Sequence, residues 1–270
     1  AFEEGIGFDG SSIEGFTTPE EADMLAFPDP STFQVLPWRP ANDGVARIFC
    51  DVCTPDRKPF EGDPRACLRR MFRRAEERGY IMNVGTELPS DSARDIRRNT
   101  VLTLEKMSVP VEYTFHSSGP SQHGISLRHA EALSMSDAIM TAKHIIRLEA
   151  YEAGIHASFM PKPIAGKPSS AMFLHESLFD REGNNVFYDA DDPVYHLSPT
   201  AKSFMAGILM HAGEISAITN PTVNSYKRLN TGKSSSPTPT HATWGLRNRA
   251  AMIRIPIYKP GKQLSTRIEL

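Results

Sequence analysis

The sequence predicts an α+β fold, in which short strands pair as hairpins and helices fall between the pairs, rather than the regular strand–helix alternation of a doubly wound parallel sheet. Residues 110–128 carry two strand-like runs, PVEYTFHS and HGISLR, on either side of a Ser/Gly/Pro-containing turn. Helix-like segments stand singly between such strands, at 63–80, 92–108 and 134–154. A chain of 270 residues that is 40% hydrophobic can bury one large core or two smaller ones.

In chain order, residues 1–38 are rich in Gly, Ser, Pro and acidic residues between short apolar pieces, and read as loops around short strands. VARIFCDV (45–52) predicts a strand. In the helix expected over 63–80, Asp63 is the N-cap, Pro64 suits the first turn and Gly79 stops it; its arginines read as a solvated face. YIMNVGTEL (80–88) predicts a strand and 92–108 a helix, followed by the strand pair at 110–128. The longest helix is expected over 134–154, ending at Gly154; HASFMPKP (156–163) predicts a strand and SAMFLHESLF (170–179) begins another. Residues 198–219 read as helical and AMIRIPIYK (251–259) as a strand, while the Ser/Thr/Pro-biased stretch 230–243 reads as a loop.

A formal net charge of -2 provides no basic field for nucleic acid and no cationic face for a membrane. No apolar run approaches the roughly 20 residues that span a bilayer, and the N-terminus has no charged-then-apolar leader, so the cytoplasm is the expected compartment. Three cysteines cannot all pair, and Cys50 and Cys53 lie within an apolar run with no second ligand pair after them; a buried strand explains their spacing better than zinc or redox chemistry.

Six segments resemble bacterial-type (class I) glutamine synthetase, in the family's order: FDGSSIEGF (8–16), FMPKP (159–163), FYDADDP (187–193), ITNPTVNSYKRL (218–229), LRNRAAMIRIP (246–256) and STRIEL (265–270). The resemblance implies a partial β-grasp N-terminal domain over 1–55 and a catalytic domain over 56–270 built on a curved antiparallel sheet. It also implies a homo-oligomeric double ring, a dodecamer, with active sites between neighbouring subunits. The match starts partway into the family's first domain and stops at Leu270, short of the family's usual end. After GTEL the family continues through a sizeable stretch before a segment like PSDSARDIRRNT, which leaves either a deletion at Leu88/Pro89 or a join across absent residues.

An ATP-dependent carboxylate–amine ligase needs divalent metals to neutralise crowded phosphate charge, oxygen-rich ligands to hold them, and a carboxylate to take a proton from ammonium. Against that requirement, the family's His-His-Glu stands here as Phe115-His116-Ser117, and its Gln-x-Glu as Gln122-His123-Gly124. The metal-binding histidine after the KPxxG motif becomes Phe173, the Asn-Gly pair that grips the substrate becomes Pro168-Ser169, and the flap's proton acceptor becomes Ser234. Glu112 is the one carboxylate left in the hairpin, at its edge.

Other positions match the family. Glu87 and Glu269 correspond to ligands of the other metal site, which leaves room for at most one weakly held Mg or Mn ion. Asp9 and Ser12 correspond to the loop that serves a neighbour's ammonium site. His175 and Ser177 correspond to nucleotide-side positions, where ATP would bind. Arg228, Arg249, Arg254 and Arg267 correspond to the arginines that hold substrate carboxylate and phosphates, and His129 replaces an aromatic residue beside the adenine. Each has a plain alternative: Arg249 and Arg254 could pair with Glu87 or Glu269, Asp9 could stabilise its own turn, and His116 and His123 could be hydrogen-bonded structural residues rather than ligands. The expected function is a glutamine-synthetase-like protein unable to make glutamine and turned to another reaction on an amino or carboxylic acid. The alternatives are a non-catalytic ring-forming homologue, or an active γ-glutamyl ligase completed by further segments.

Overall fold

The computed structural model describes residues 2–13, 16–18, 22–39, 42, 44–91, 94–230 and 238–270, without the side chains of 88–91 and 94–95. The chain divides into two compact units, Ala1–Arg78 and Gly79–Leu270.

In the first unit β1 (Ile6–Asp9), β2 (Asp23–Pro28) and β5 (Cys50–Cys53) form an antiparallel sheet in the order β1-β2-β5, and β3 (Gln34–Val35) pairs with β4 (Ala46–Arg47). The single strand expected over VARIFCDV is thus two, parted where Phe49 donates its N–H to Thr32 Oγ1 and accepts one from Asp29. Helix α1 (Pro64–Glu76) begins as expected: Asp63 accepts from Arg65 N, Pro64 occupies the first turn, and Gly79 follows with φ 80°. Two of its arginines turn to carboxylates of the sheet side instead of standing free in solvent. Arg65 reaches Asp29 at 2.8 Å and Asp51 at 3.2 Å, and Arg69 reaches Asp29 at 2.6 Å. Burial alone would raise the Asp29 pKa, but hydrogen bonds from Ser31 and Arg65 and the charge of Arg69 outweigh it and hold it at about 2. Cys50 and Cys53 are free thiols in β5.

The second unit is built on a seven-stranded sheet in the order β10-β11-β12-β9-β6-β8-β7. Its strands are β6 (Ile81–Asp91), β7 (Val111–His116), β8 (Gln122–Glu131), β9 (Phe173–Phe179), β10 (Trp244–Leu246), β11 (Ile253–Ile255) and β12 (Ile268–Glu269). All pairs are antiparallel except β10–β11, which confirms the α+β class. Helices α2 (Arg94–Lys106) and α3 (Ala132–Glu152) pack on each other, and α3 packs on β6 and β8. Helix α4 (Pro199–Met210), capped by Ser198, supplies Ala201 and Met205 to a core with Leu178, Phe187, Leu197, Ile253, Ile255 and Ile268. It breaks at His211 before α5 (Ala212–Thr219), and α6 (Val223–Leu229) follows. Among the described residues no helix is long and apolar enough to cross a membrane.

HASFMPKP is not a strand. Pro161 and Pro163 lack donors, and the Lys162 N–H goes instead to Asn224 Oδ1 at 2.7 Å, while Asn224 Nδ2 donates back to Lys162 O. Phe159 lies under Lys143 and Arg147 of α3. Only Ile253–Ile255 of AMIRIPIYK is strand. The central part of the loop expected over 230–243, including Ser234, lies outside the described residues.

Candidate functional site

The side-chain alternation of a strand sorts this sheet into two faces. Ile253, Ile255, Ile268, Leu178, Val84, Ile125 and Leu127 go into the core. Their neighbours Arg254, Glu269, His175, Ser177, Glu87 and Ser126 take the other face. Register then aligns them across strands: Arg254 stands opposite Glu269, Glu269 opposite His175, His175 opposite Gly85, and Glu87 between Phe173 and Ser126. A side chain at Gly85 would lie between the Cβ atoms of His129 and His175, which places exposed His129 on the same face.

The ionic centre is Glu269, only 5% exposed. Arg267 Nη2 lies 2.9 Å from its Oε1, and Arg254 Nη2 binds its Oε2. His175 Nε2 sits 3.9 Å from Glu269 Oε1 and 3.8 Å from Glu87 Oε1, so both predicted metal-ligand carboxylates face one imidazole nitrogen. Burial depresses the His175 pKa, reinforced by Arg267 and Arg254, against the pull of Glu269 and Glu87. Glu87 accepts a hydrogen bond from Tyr113 Oη at 2.7 Å across Ser126. Burial and then the Glu87 contact push the Tyr113 pKa up to about 12, so the phenol stays a donor. Sequence reasoning missed Tyr113, whose role depends on the β6–β8–β7 register.

The hairpin formed by β7 and β8 explains what its substituted positions do. His116 pairs with His123, and Phe115 with Gly124. A Cβ at Gly124 would come 2.7 Å from Phe115 Cε2 and closer still to Cζ, so the phenyl ring fills the space where a carboxylate side chain would start. His123 Nδ1 is taken by Arg97 at 3.2 Å, and His116 Nδ1 by Ser117 O at 2.5 Å; the rings meet edge to face at 4.7 Å. Buried Gln122 accepts from Gly119 N and donates to Ser169 O and Ser170 Oγ at 2.9 and 2.7 Å, tying the hairpin to the segment that follows Pro168. Phe173 is 45% exposed beside Glu87.

The two carboxylates at this centre are largely committed to protein partners rather than left open to a hard divalent cation. Such a cation draws on carboxylates with lone pairs to spare, yet both oxygens of Glu269 are bound by guanidinium groups and Oε1 of Glu87 accepts from a phenol. Among the described residues no group of three or more His, Cys, Asp or Glu is arranged to hold a metal.

The remaining predicted residues are placed by their own elements. Arg228, in the last turn of α6, is largely buried, its pKa lowered by desolvation, and its Nε is buried without a hydrogen-bond partner among the described residues. Arg249 is exposed in the turn after β10. In the first unit Asp9 caps the 3₁₀ turn Gly10–Ser12, accepting from Ser11 N at 2.9 Å and Ser11 Oγ at 2.6 Å, which lower its pKa; Ser12 Oγ donates to Asp9 O.

Comparison with known proteins places this fold. The family profile for the glutamine synthetase catalytic domain matches residues 88–270, and that for the glutamine synthetase beta-Grasp domain matches 1–55. The glutamine synthetase of Mycolicibacterium smegmatis is 46% identical over 299 residues, covering 100% of this chain and 66% of its own length. That of Methanosarcina mazei is 43% identical over 297 residues, covering 100% and 65%. Among solved structures, Plasmodium falciparum glutamine synthetase superposes with a TM-score of 0.92 at 24% identity over 100% of this chain and 62% of its own, a likeness of fold. GmaS without ligand gives 0.86 at 29% identity over 100% and 66%. A GmaS/ADP complex gives 0.86 at 28% identity over the same shares.

The chain belongs to the glutamine synthetase family. It spans 66% of the M. smegmatis relative's length, and the aligned length of 299 exceeds its own 270 residues, so the relative holds residues at positions where this chain has none.

Proposed function

We propose that this is a glutamine-synthetase-fold protein that does not join glutamate and ammonia at the expense of ATP, and that it acts on a different amino or carboxylic acid. The observation that carries the reading is the phenyl ring of Phe115 lying over Gly124, where the family resemblance calls for a metal-binding carboxylate. Exposed Phe173 at a second ligand position, and a Glu269 already neutralised by Arg254 and Arg267, support it. The site binds Mg or Mn at most once and weakly, near Glu87 and Glu269. Nucleotide binding fits better: a relative of known structure was solved with ADP, and Arg228 with its orphaned Nε and exposed Arg249 are cations uncommitted among the described residues. His175 and Ser177, on the sheet face with Arg254, would face the nucleotide.

The oligomer is a closed homo-oligomeric ring, as the intact FDGSSIEGF segment suggests, and the compartment is the cytoplasm. A non-catalytic ring subunit is the second reading, favoured by Asp9, whose carboxylate is spent on its own turn.

The deciding assay is phosphate release from ATP that depends on both glutamate and ammonia, using the unmodified protein. Loss of a positioned base alone costs roughly 10²–10⁴-fold, so release at background level is expected. Turnover within about tenfold of the common enzymatic value of order 10 per second would refute the proposal. Light scattering that shows a compact monomer at micromolar concentration would refute the ring.

A further inference from the structure

The site face has an apolar border that the ionic centre does not use. Tyr113, Phe115 and Phe173 stand on the same face as Glu87: Phe173 is its direct cross-strand neighbour on β9, and Tyr113 reaches it across Ser126. The Tyr113 and Phe115 rings lie 5.9 Å apart, and Tyr113 and Phe173 remain 47% and 45% exposed. Aromatic area is thus left half in water on an otherwise polar face, where a ligand with an apolar body could cover it.

Charge selects the occupant. At the far end of the cluster two guanidinium groups neutralise Glu269. At the aromatic border, Glu87 is held by a neutral phenol, and among the described residues no lysine or arginine comes within 4.0 Å of its carboxylate. A carboxylate bordered by aromatic side chains attracts a cation by direct pairing and offers apolar surface to whatever body the cation carries. A carboxylic acid brought to the same border would meet like charge. Free ammonium would satisfy Glu87 and leave the rings wet.

We propose that this border binds a primary amine carrying an aromatic or branched apolar body, with its ammonium on Glu87 and its body against Tyr113, Phe115 and Phe173. The inference rests on the reading that this face takes a ligand other than glutamate and ammonia.

Calorimetric titration of the unmodified protein with phenethylamine at neutral pH tests it. 2-Phenylethanol lacks the ammonium, phenylacetate reverses the charge, and ammonium chloride lacks the body. Phenethylamine is expected to bind at least tenfold more tightly than each. Glu87→Gln, which keeps an acceptor for Tyr113, should weaken it about tenfold or more, and Phe173→Ala, at an exposed position, about fivefold. Equal binding of phenylacetate or 2-phenylethanol, no binding of phenethylamine, or an unchanged affinity in folded Glu87→Gln would each overturn the proposal. Phosphate release dependent on glutamate and ammonia, measured on the same preparation, separates the two failures. Turnover there sinks the functional reading, whereas absent turnover with no amine binding sinks only this inference.

Discussion

Replacing Gly124 by alanine should reverse its effect on stability according to what stands at 115. A lone glycine in a buried strand usually costs roughly 0.5–1 kcal/mol relative to alanine, so Gly124→Ala should stabilise if the site has room. It has none: the new methyl would sit 2.7 Å from Phe115 Cε2 and nearer to Cζ, well inside any real Cβ contact. Forcing the ring aside costs ~1–3 kcal/mol by the usual scale for overpacking. The net in the natural background therefore runs from near zero to a loss of about 2.5 kcal/mol, or up to roughly 10 °C in melting temperature for a unit of this size. In a Phe115→Ala background the ring is gone, and Gly124→Ala should instead gain up to about 1 kcal/mol. The assay is urea unfolding of the four proteins of the cycle, with coupling read from the midpoints at constant slope. Effects of the same sign that add within about 0.5 kcal/mol would refute the account of Phe115 as the filler of the Gly124 space. The same geometry means that a carboxylate can be restored at 124 only after the phenyl ring is removed.

Three further outcomes are expected. Glu176 faces the core beside Ile268 and Val84, is 7% exposed, has an Oε2 without a hydrogen-bond partner among the described residues, and has its pKa raised to about 7 by burial. Its folded pKa lies above the unfolded value of about 4.3, so its stability contribution is full below that pH and is lost as pH rises to about 7. Melting curves should show this decline, and Glu176→Gln should flatten it; an identical pH profile in the variant would disprove it. Asp29 is the opposite case, with its folded pKa held near 2. Its contribution is present above pH ~4 and lost as pH falls towards 2, and Asp29→Asn should remove that acid-limb dependence from a pH series of melts. Gln122→Ala should cost about 1–3 kcal/mol by leaving Gly119 N and Ser169 O short of partners; urea unfolding that shows no loss would mean water replaces the side chain freely.

The parts of the fold legible in the sequence were those with local punctuation. Asp63, Pro64 and Gly79 mark α1 because capping chemistry is local, and the β7–β8 hairpin follows from its alternation and turn. HASFMPKP misled because its apolar residues look like a strand, whereas its prolines and the Asn224 side chain decide where its backbone groups go. β10 and β12 are three and two residues long, too short to show a period. Motif resemblance picked out Glu87, His175, Arg254, Arg267 and Glu269; the register brings four of them onto one face, and Arg267 joins them through its ion pair with Glu269. That Glu87 belongs to Tyr113 depends on pairing between strands far apart in sequence, which no local pattern carries. The contact of Phe115 with Gly124 was within reach: counting outward from the turn between His116 and His123 pairs them directly.

Glu269 lies in a strand two residues long, its carboxylate shared by guanidinium groups from β11 and from the residue two places before it. An uncharged residue there would leave two partly exposed guanidinium groups without their shared partner at once, so loss of the charge harms the fold whether or not a metal is bound. Gly124 and Ser117 carry no such obligation. A carboxylate anchored in this way would outlast any cation it once served, and its persistence in a sequence carries no information about whether a metal is bound beside it.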